Sequence, residues 1–207
     1  MPELDLQHLK TFQNNRLRGT YADFIAQPSY EATCRFFFDN VYKAEDSTAR
    51  DQAFVAFHHK IRRVLGGDVI LCLRQLIDLQ QLTNQLDGQL LEVLAKMEIP
   101  HPLTVQHYED AYARCNNYQQ RVLQIEQLLH CINLSNKIFH SWGIGTGLKA
   151  LHRFHQFMGD TQVTDFLLEG YHAMTGLKNL APLTVAINER ERIRLDRIYG
   201  ILEDGVW

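Results

Sequence analysis

The sequence predicts an all-α fold, a single-domain bundle of many helices built round a long antiparallel helical hairpin. Three observations carry this expectation. Apolar residues recur at intervals of three and four almost from end to end. The strict alternation of a half-buried strand is nowhere sustained, and Pro and Gly fall between the periodic runs, where helices start and stop.

Taken in order, a first helix is expected from about Leu4 to Ala26, with Leu6, Leu9, Phe12, Leu17, Tyr21, Phe24 and Ile25 on its apolar face. Pro28 suits the first turn of a second helix, which carries Cys34, Phe36, Phe37, Val41 and Tyr42. A third begins near Asp46, where Thr48 and Asp51 have capping-box spacing, and stops at Gly66-Gly67.

The hairpin is expected over about 68-140. Its first arm shows Val69, Leu73, Leu76, Leu79, Leu82, Leu86, Leu90, Val93 and Met97 in register. Beyond Pro100 and Pro102 the rhythm returns with Val105, Tyr108, Tyr112, Cys115, Tyr118, Val122, Ile125, Leu129 and Ile132. A short connector makes such helices antiparallel neighbours. Ile70, Ile77, Leu91 and Leu94 add a second apolar stripe, which other helices or another subunit must cover. The opposite faces carry uncharged amides, among them Gln80, Gln89, Asn116 and Asn117, expected to be solvated. After Trp142 the glycines of Gly143 to Gly147 read as a hinge, and shorter helices fill about 147-200, the last opened by Pro182.

The 207 residues suit one domain, 1-207, with enough chain to bury a substantial core. Basic and acidic side chains are balanced, 21 against 24, and the two halves of the chain do not differ in sign, so nothing points to nucleic acid. No apolar run reaches the ~20 residues that span a bilayer. With no leader-like N-terminus and with four scattered cysteines lacking any Cys-x-x-Cys pair, the expected location is the cytoplasm.

No metal and no cofactor is predicted. The nearest approach to a metal set is His152, His155, Glu169 and His172, where Glu169 and His172 have the Glu-x-x-His spacing of helical di-iron proteins. Such sites need two copies, and here there is one, so these histidines are expected at surfaces or helix contacts. A haem on a single histidine stays as an alternative without a c-type attachment motif. The glycine run follows a helix and Lys149 is out of P-loop register, which argues against a nucleotide. The alternating charges from Glu189 to Arg197 have the pattern of a solvated, ion-paired face.

One segment resembles a known family. Arg16-Leu17-Arg18-Gly19-Thr20-Tyr21-Ala22-Asp23, Arg35-Phe36-Phe37-Phe38-Asp39-Asn40-Val41-Tyr42, Asp46 and Arg50-Asp51 are similar to the bacterial FFLEELY-motif proteins. Phe36, Phe37 and Tyr42 match the motif, Asp39 is a conservative change, and Asn40 replaces an acidic residue. The resemblance covers about residues 16-51. It implies a helical fold and a bacterial source, and that family brings no activity with it. Arg35, Asp39 and Tyr42 are the candidate ligand-binding residues, with an ionic cluster of Arg35, Asp39 and Asp51 with Arg16 or Asp23 as the expected arrangement.

The expected function is that of a non-enzymatic binding or regulatory protein, acting through protein contacts on the hairpin, with a homo-oligomer or another protein as partner. The alternative is a small-molecule (haem, metal or acyl ligand) binding protein or enzyme, with a pocket between helices around Phe36 and His155.

Overall fold

The computed structural model describes residues 4-41, 67-99, 102-158 and 161-202. The third expected helix, together with Tyr42 and Asp51, lies outside the described residues. Among those described there are nine α-helices and no strand: α1 (Leu6–Thr20), α2 (Ala22–Ile25), α3 (Pro28–Phe36), α4 (Gly67–Lys96), α5 (Val105–Arg114), α6 (Tyr118–Phe139), α7 (Ile144–Met158), α8 (Gln162–Thr175) and α9 (Ala181–Ile198). The chain is an all-α multi-helix bundle.

Local chemistry explains four of the helix starts. The Asp5 carboxylate accepts from the His8 amide at 2.8 Å and caps α1, and Thr104 does the same for α5 through the His107 amide at 3.2 Å. Pro28 and Pro182 sit in the first turns of α3 and α9, where a missing N–H costs nothing.

Two expected helices are broken. The first divides at Tyr21, whose ring enters the core while the Thr20 carbonyl accepts from Arg190 at 2.6 Å. The run from Val105 divides at Cys115 to Asn117. There Asn116 adopts a left-handed φ of 50°, which asparagine tolerates better than most residues. Asn117 is buried; its side chain donates to Gln89 at 2.7 Å and its backbone N–H to the Tyr199 hydroxyl at 3.2 Å. Asn117 is therefore a buried joint, not a solvated amide. The glycines of the expected hinge behave differently as well: Gly143 has φ 82° and ends the preceding turn, while Gly145 and Gly147 lie inside α7.

At the end of α3 the helix widens into a π turn, Phe37–Val41. Widening displaces the backbone ladder, and α1 takes up the slack: Asn14 donates to the Phe38 carbonyl at 2.8 Å, and Arg18 pairs with Asp39 while lying 5.2 Å from the Phe38 ring centre.

The helices meet in three apolar clusters. Leu17, Phe24, Cys34, Ile132, Met174 and Leu183 join α1, α2, α3, α6, α8 and α9; Leu73, Leu148, Val163 and Leu167 join α4, α7 and α8; and Leu9, Leu90, Leu94 and Tyr108 join α1, α4 and α5. Each such leucine contributes about 1.5 to 3 kcal/mol through burial. Between α4 and α6 with its N-cap Asn117, side-chain bonds link 89 to 117, 86 to 121, 83 to 124 and 72 to 135. The numbers rise along one helix as they fall along the other, which is antiparallel register.

Candidate functional site

Between the clusters lies a cavity of about 170 Å³ bounded by side chains of α1, α3, α4, α5, α6, α9 and the π turn. One end is polar. Four cationic side chains, Lys10, Arg16, Arg121 and Arg194, face two carboxylates, Asp87 and Glu191, so two positive charges are in excess on its walls.

Helical spacing delivers these groups. On α1, Arg16 lies three residues beyond Gln13 on the face that also buries Leu9 and Leu17; on α5, Tyr108 and Tyr112 are one turn apart; on α9, Glu191 and Arg194 are three apart. Asp87 falls on the apolar stripe of α4, three and seven residues before Leu90 and Leu94.

Arg121 is 3% exposed and Asp87 2%. The Arg121 guanidinium donates to the Leu86 carbonyl at 3.0 Å and to Gln124 Oε1 at 3.2 Å, lies 4.3 Å from the centre of the Tyr112 ring, and stands 3.8 Å from Asp87 Oδ1. That last separation is too long for a hydrogen bond. Asp87 accepts instead from Gln13 Nε2 at 3.0 Å. Burial pushes the Asp87 carboxyl above the usual carboxylate range, against the opposing pull of Gln13, Arg121 and Lys10. Burial likewise raises the hydroxyls of Tyr108 and Tyr112.

Arg16 donates to both Glu191 oxygens, at 3.2 and 3.0 Å, and the Tyr21 hydroxyl donates to Glu191 Oε1 at 3.0 Å. Arg194 pairs with Glu109 at 2.8 Å. Burial lowers the Arg194 pKa, and repulsion from Arg16 lowers it further, with Glu109 working against both. Nε of Arg16 and Nε of Arg121 are buried with no hydrogen-bond partner among the described residues. A buried guanidinium N–H without an acceptor costs about 1 to 3 kcal/mol, which an oxyanion in the cavity would relieve.

The other end of the cavity is apolar, and beside it lies a second cavity of about 80 Å³ between α3, α4, α6 and α8. Phe36 lines this second space, together with Leu76, Cys131 and Phe166. Phe37, Val41, Leu79, Leu128 and Ile132 line both. Among the described residues no histidine borders either one, so His155 shares neither cavity with Phe36.

The remaining sequence candidates lie elsewhere. Arg35 is exposed and pairs with Glu31 at 2.7 Å, and Asp39 is exposed and pairs with Arg18; neither joins Arg16 or Asp23. Arg16 pairs with Glu191 and Asp23 with Arg190, because α9 packs over α1 and α2 and brings its own charges to theirs. His152 lies 3.2 Å from the Thr164 hydroxyl and 3.4 Å from Asp165, while Glu169 and His172 are exposed on α8. Among the described residues no three His, Cys, Asp or Glu side chains are grouped to hold a metal.

Sequence reasoning missed Asp87, Arg121, Glu191 and Arg194. Two of them carried a signal: Asp87 and Arg121 are charges in phase with an apolar stripe. The charges of α9 carried none, since Glu191 and Arg194 sit within an alternation that also supplies the half-exposed Arg190 and Arg192. The face expected there to be solvated and ion-paired is ion-paired, and Glu191 and Arg194 on it are only 16% and 24% exposed.

The family described as a domain of unknown function, DUF8198, matches residues 2–204, and the chain belongs to that family. No curated protein and no solved structure is detectably similar to it.

Proposed function

We propose that this member of the family is a binding protein for a small organic anion, held in the cavity between α1, α4, α5, α6 and α9. The observation that carries the reading is the convergence of Arg16, Arg121 and Arg194, from three separate helices, on one cavity with an excess of positive charge on its walls. A guanidinium is a planar fork that matches an oxyanion, and in a low-dielectric wall its attraction is screened far less than at a surface. The size of the space agrees. A cavity of about 150 Å³ holds a benzene-sized body, so 170 Å³ admits roughly seven heavy atoms.

Binding suits the lining better than turnover. The thiol on the wall, Cys34, is pushed up to about 11 by burial and by Asp23, and is no nucleophile at neutral pH. The test is thermal unfolding at pH 7 with butyrate and with inorganic phosphate. At a hundredfold excess over Kd, a bound anion raises Tm by about 5 to 10 °C in a chain of this size, and Arg194→Gln removes the shift. No shift with phosphate, butyrate or any longer straight-chain carboxylate would defeat the proposal.

A second reading concerns a protein partner or a second copy of the chain. The hairpin region offers isolated exposed residues such as Leu71 and Leu123, whereas Trp142 is fully exposed just before α7 and Phe154 and Phe157 are 60% and 90% exposed on it. Two large exposed aromatics three residues apart, Phe154 and Phe157, favour α7 as the contact face. Native mass spectrometry of the wild type and of a Phe154→Ser/Phe157→Ser variant tests this. A dimer or complex lost in the variant supports it, and a monomer in both cases removes it.

A further inference from the structure

The two cavities differ in chemistry and share a wall. The first ends in Arg16, Arg121 and Arg194; the second is bordered by Phe36, Leu73, Leu76, Phe166 and Met174, with Ser135 its most polar side chain. Phe37 and Val41, which border both, belong to the π turn, and the widened backbone there sets the two side chains at the junction. Once Glu109 is counted against Arg194, the polar end holds one unbalanced positive charge.

We propose that the ligand is a single-chain carboxylate of about eight carbons. Its carboxylate lies against the arginines, and its chain passes Phe37 into the apolar cavity. This rests on the reading of the first cavity as an anion site and adds the chemistry of the molecule it takes. One unbalanced charge matches a monoanion better than a dianionic phosphate. By the scale on which a 150 Å³ cavity holds benzene, 170 and 80 Å³ together hold about ten heavy atoms, the number in octanoate.

The test is calorimetric titration of the full chain at pH 7 with straight-chain carboxylates from butyrate to dodecanoate, alongside octyl phosphate and 1-octanol. Affinity is expected to rise about fourfold per methylene as far as octanoate and then to level or fall. Octyl phosphate and 1-octanol should both bind more weakly. In Leu76→Phe, which fills the second cavity from its own side, octanoate should lose roughly tenfold while hexanoate is unchanged. The wild-type series stands by itself if that variant does not fold. Butyrate and octanoate binding equally would overturn the tail and leave the anion site standing. A rise continuing through dodecanoate would overturn the enclosed chain, and preference for octyl phosphate would overturn the carboxylate head. Failure of all these anions, with inorganic phosphate also inert, would remove the site itself.

Discussion

Arg16 and Glu191 meet across 175 residues of chain, one guanidinium nitrogen reaching both carboxylate oxygens, and the Tyr21 hydroxyl closes on the same carboxylate. The side chains are 15% and 16% exposed, so the pair is nearly desolvated. It joins the first helix to the last, beside Arg190 with Asp23, Arg192 with Glu126, and Arg194 with Glu109. Four ion pairs thus hold α9 against α1, α2, α5 and α6.

Breaking that pair on one side should cost more than removing it. Glu191→Ala leaves Arg16 buried beside Arg194 with no carboxylate, and a loss of about 2 to 4 kcal/mol is expected in urea unfolding. The double variant Arg16→Leu/Glu191→Leu should lose less than either single change. Equal or additive losses would show that the charges act independently.

Asp87 should make stability fall as pH rises. Its carboxyl is raised in the folded state, so the native protein holds the proton more tightly than the unfolded chain does. The resulting stability is complete below the unfolded value of about 3.8 and is lost as pH climbs through the higher folded pKa. Asp87→Asn keeps an acceptor for Gln13 and avoids the buried charge. Its Tm should equal or exceed that of the wild type at pH 7, with the difference shrinking toward pH 4. Asp23, lowered by its hydrogen bonds to Arg190, has the opposite sign and adds stability that is lost as pH falls through its folded pKa.

Three glycines should respond in three ways to alanine. A Cβ on Gly170 would lie 2.9 Å from Cζ of the Phe36 ring, so the ring must shift, at an expected cost of about 1 to 3 kcal/mol. Gly143 has φ 82°, where a side chain costs about 1 to 2 kcal/mol. Gly147 meets nothing within 4 Å inside α7, and alanine there should stabilise by about 0.5 to 1 kcal/mol. Denaturation midpoints of the three variants rank them directly.

Thiol labelling should be slow in the native protein. Burial pushes Cys34 to about 11 and Cys131 to about 12, and raises Cys72 and Cys115 as well. A chromogenic disulfide reagent at pH 8 is expected to titrate few of the four thiols before denaturant is added and all of them after. Rapid labelling of Cys131 in the native state would contradict the packing between α4 and α6.

Much of the fold was legible because helix formation is local. The three- and four-residue rhythm, Pro28 and Pro182, and the caps at Asp5 and Thr104 act over a single turn, so a sequence carries them openly. The breaks at Tyr21 and Asn116 were hidden because their causes are distant: Arg190 at one, Tyr199 and Gln89 at the other. The π turn after α3 depends in the same way on Asn14 and Arg18 of another helix.

For the site, the sequence by itself determined that arginines, tyrosines and carboxylates would stand at helical spacing on α1, α5, α6 and α9. Only the tertiary structure decided which of them face inward. On α9, Glu191 and Arg194 turn toward the bundle while Arg190 and Arg192 reach round to Asp23 and Glu126 near its surface. The burial of a charge depends on what packs over it. Here that cover comes from α1, α5 and α6, all more than forty residues away in the chain, and no local pattern encodes it.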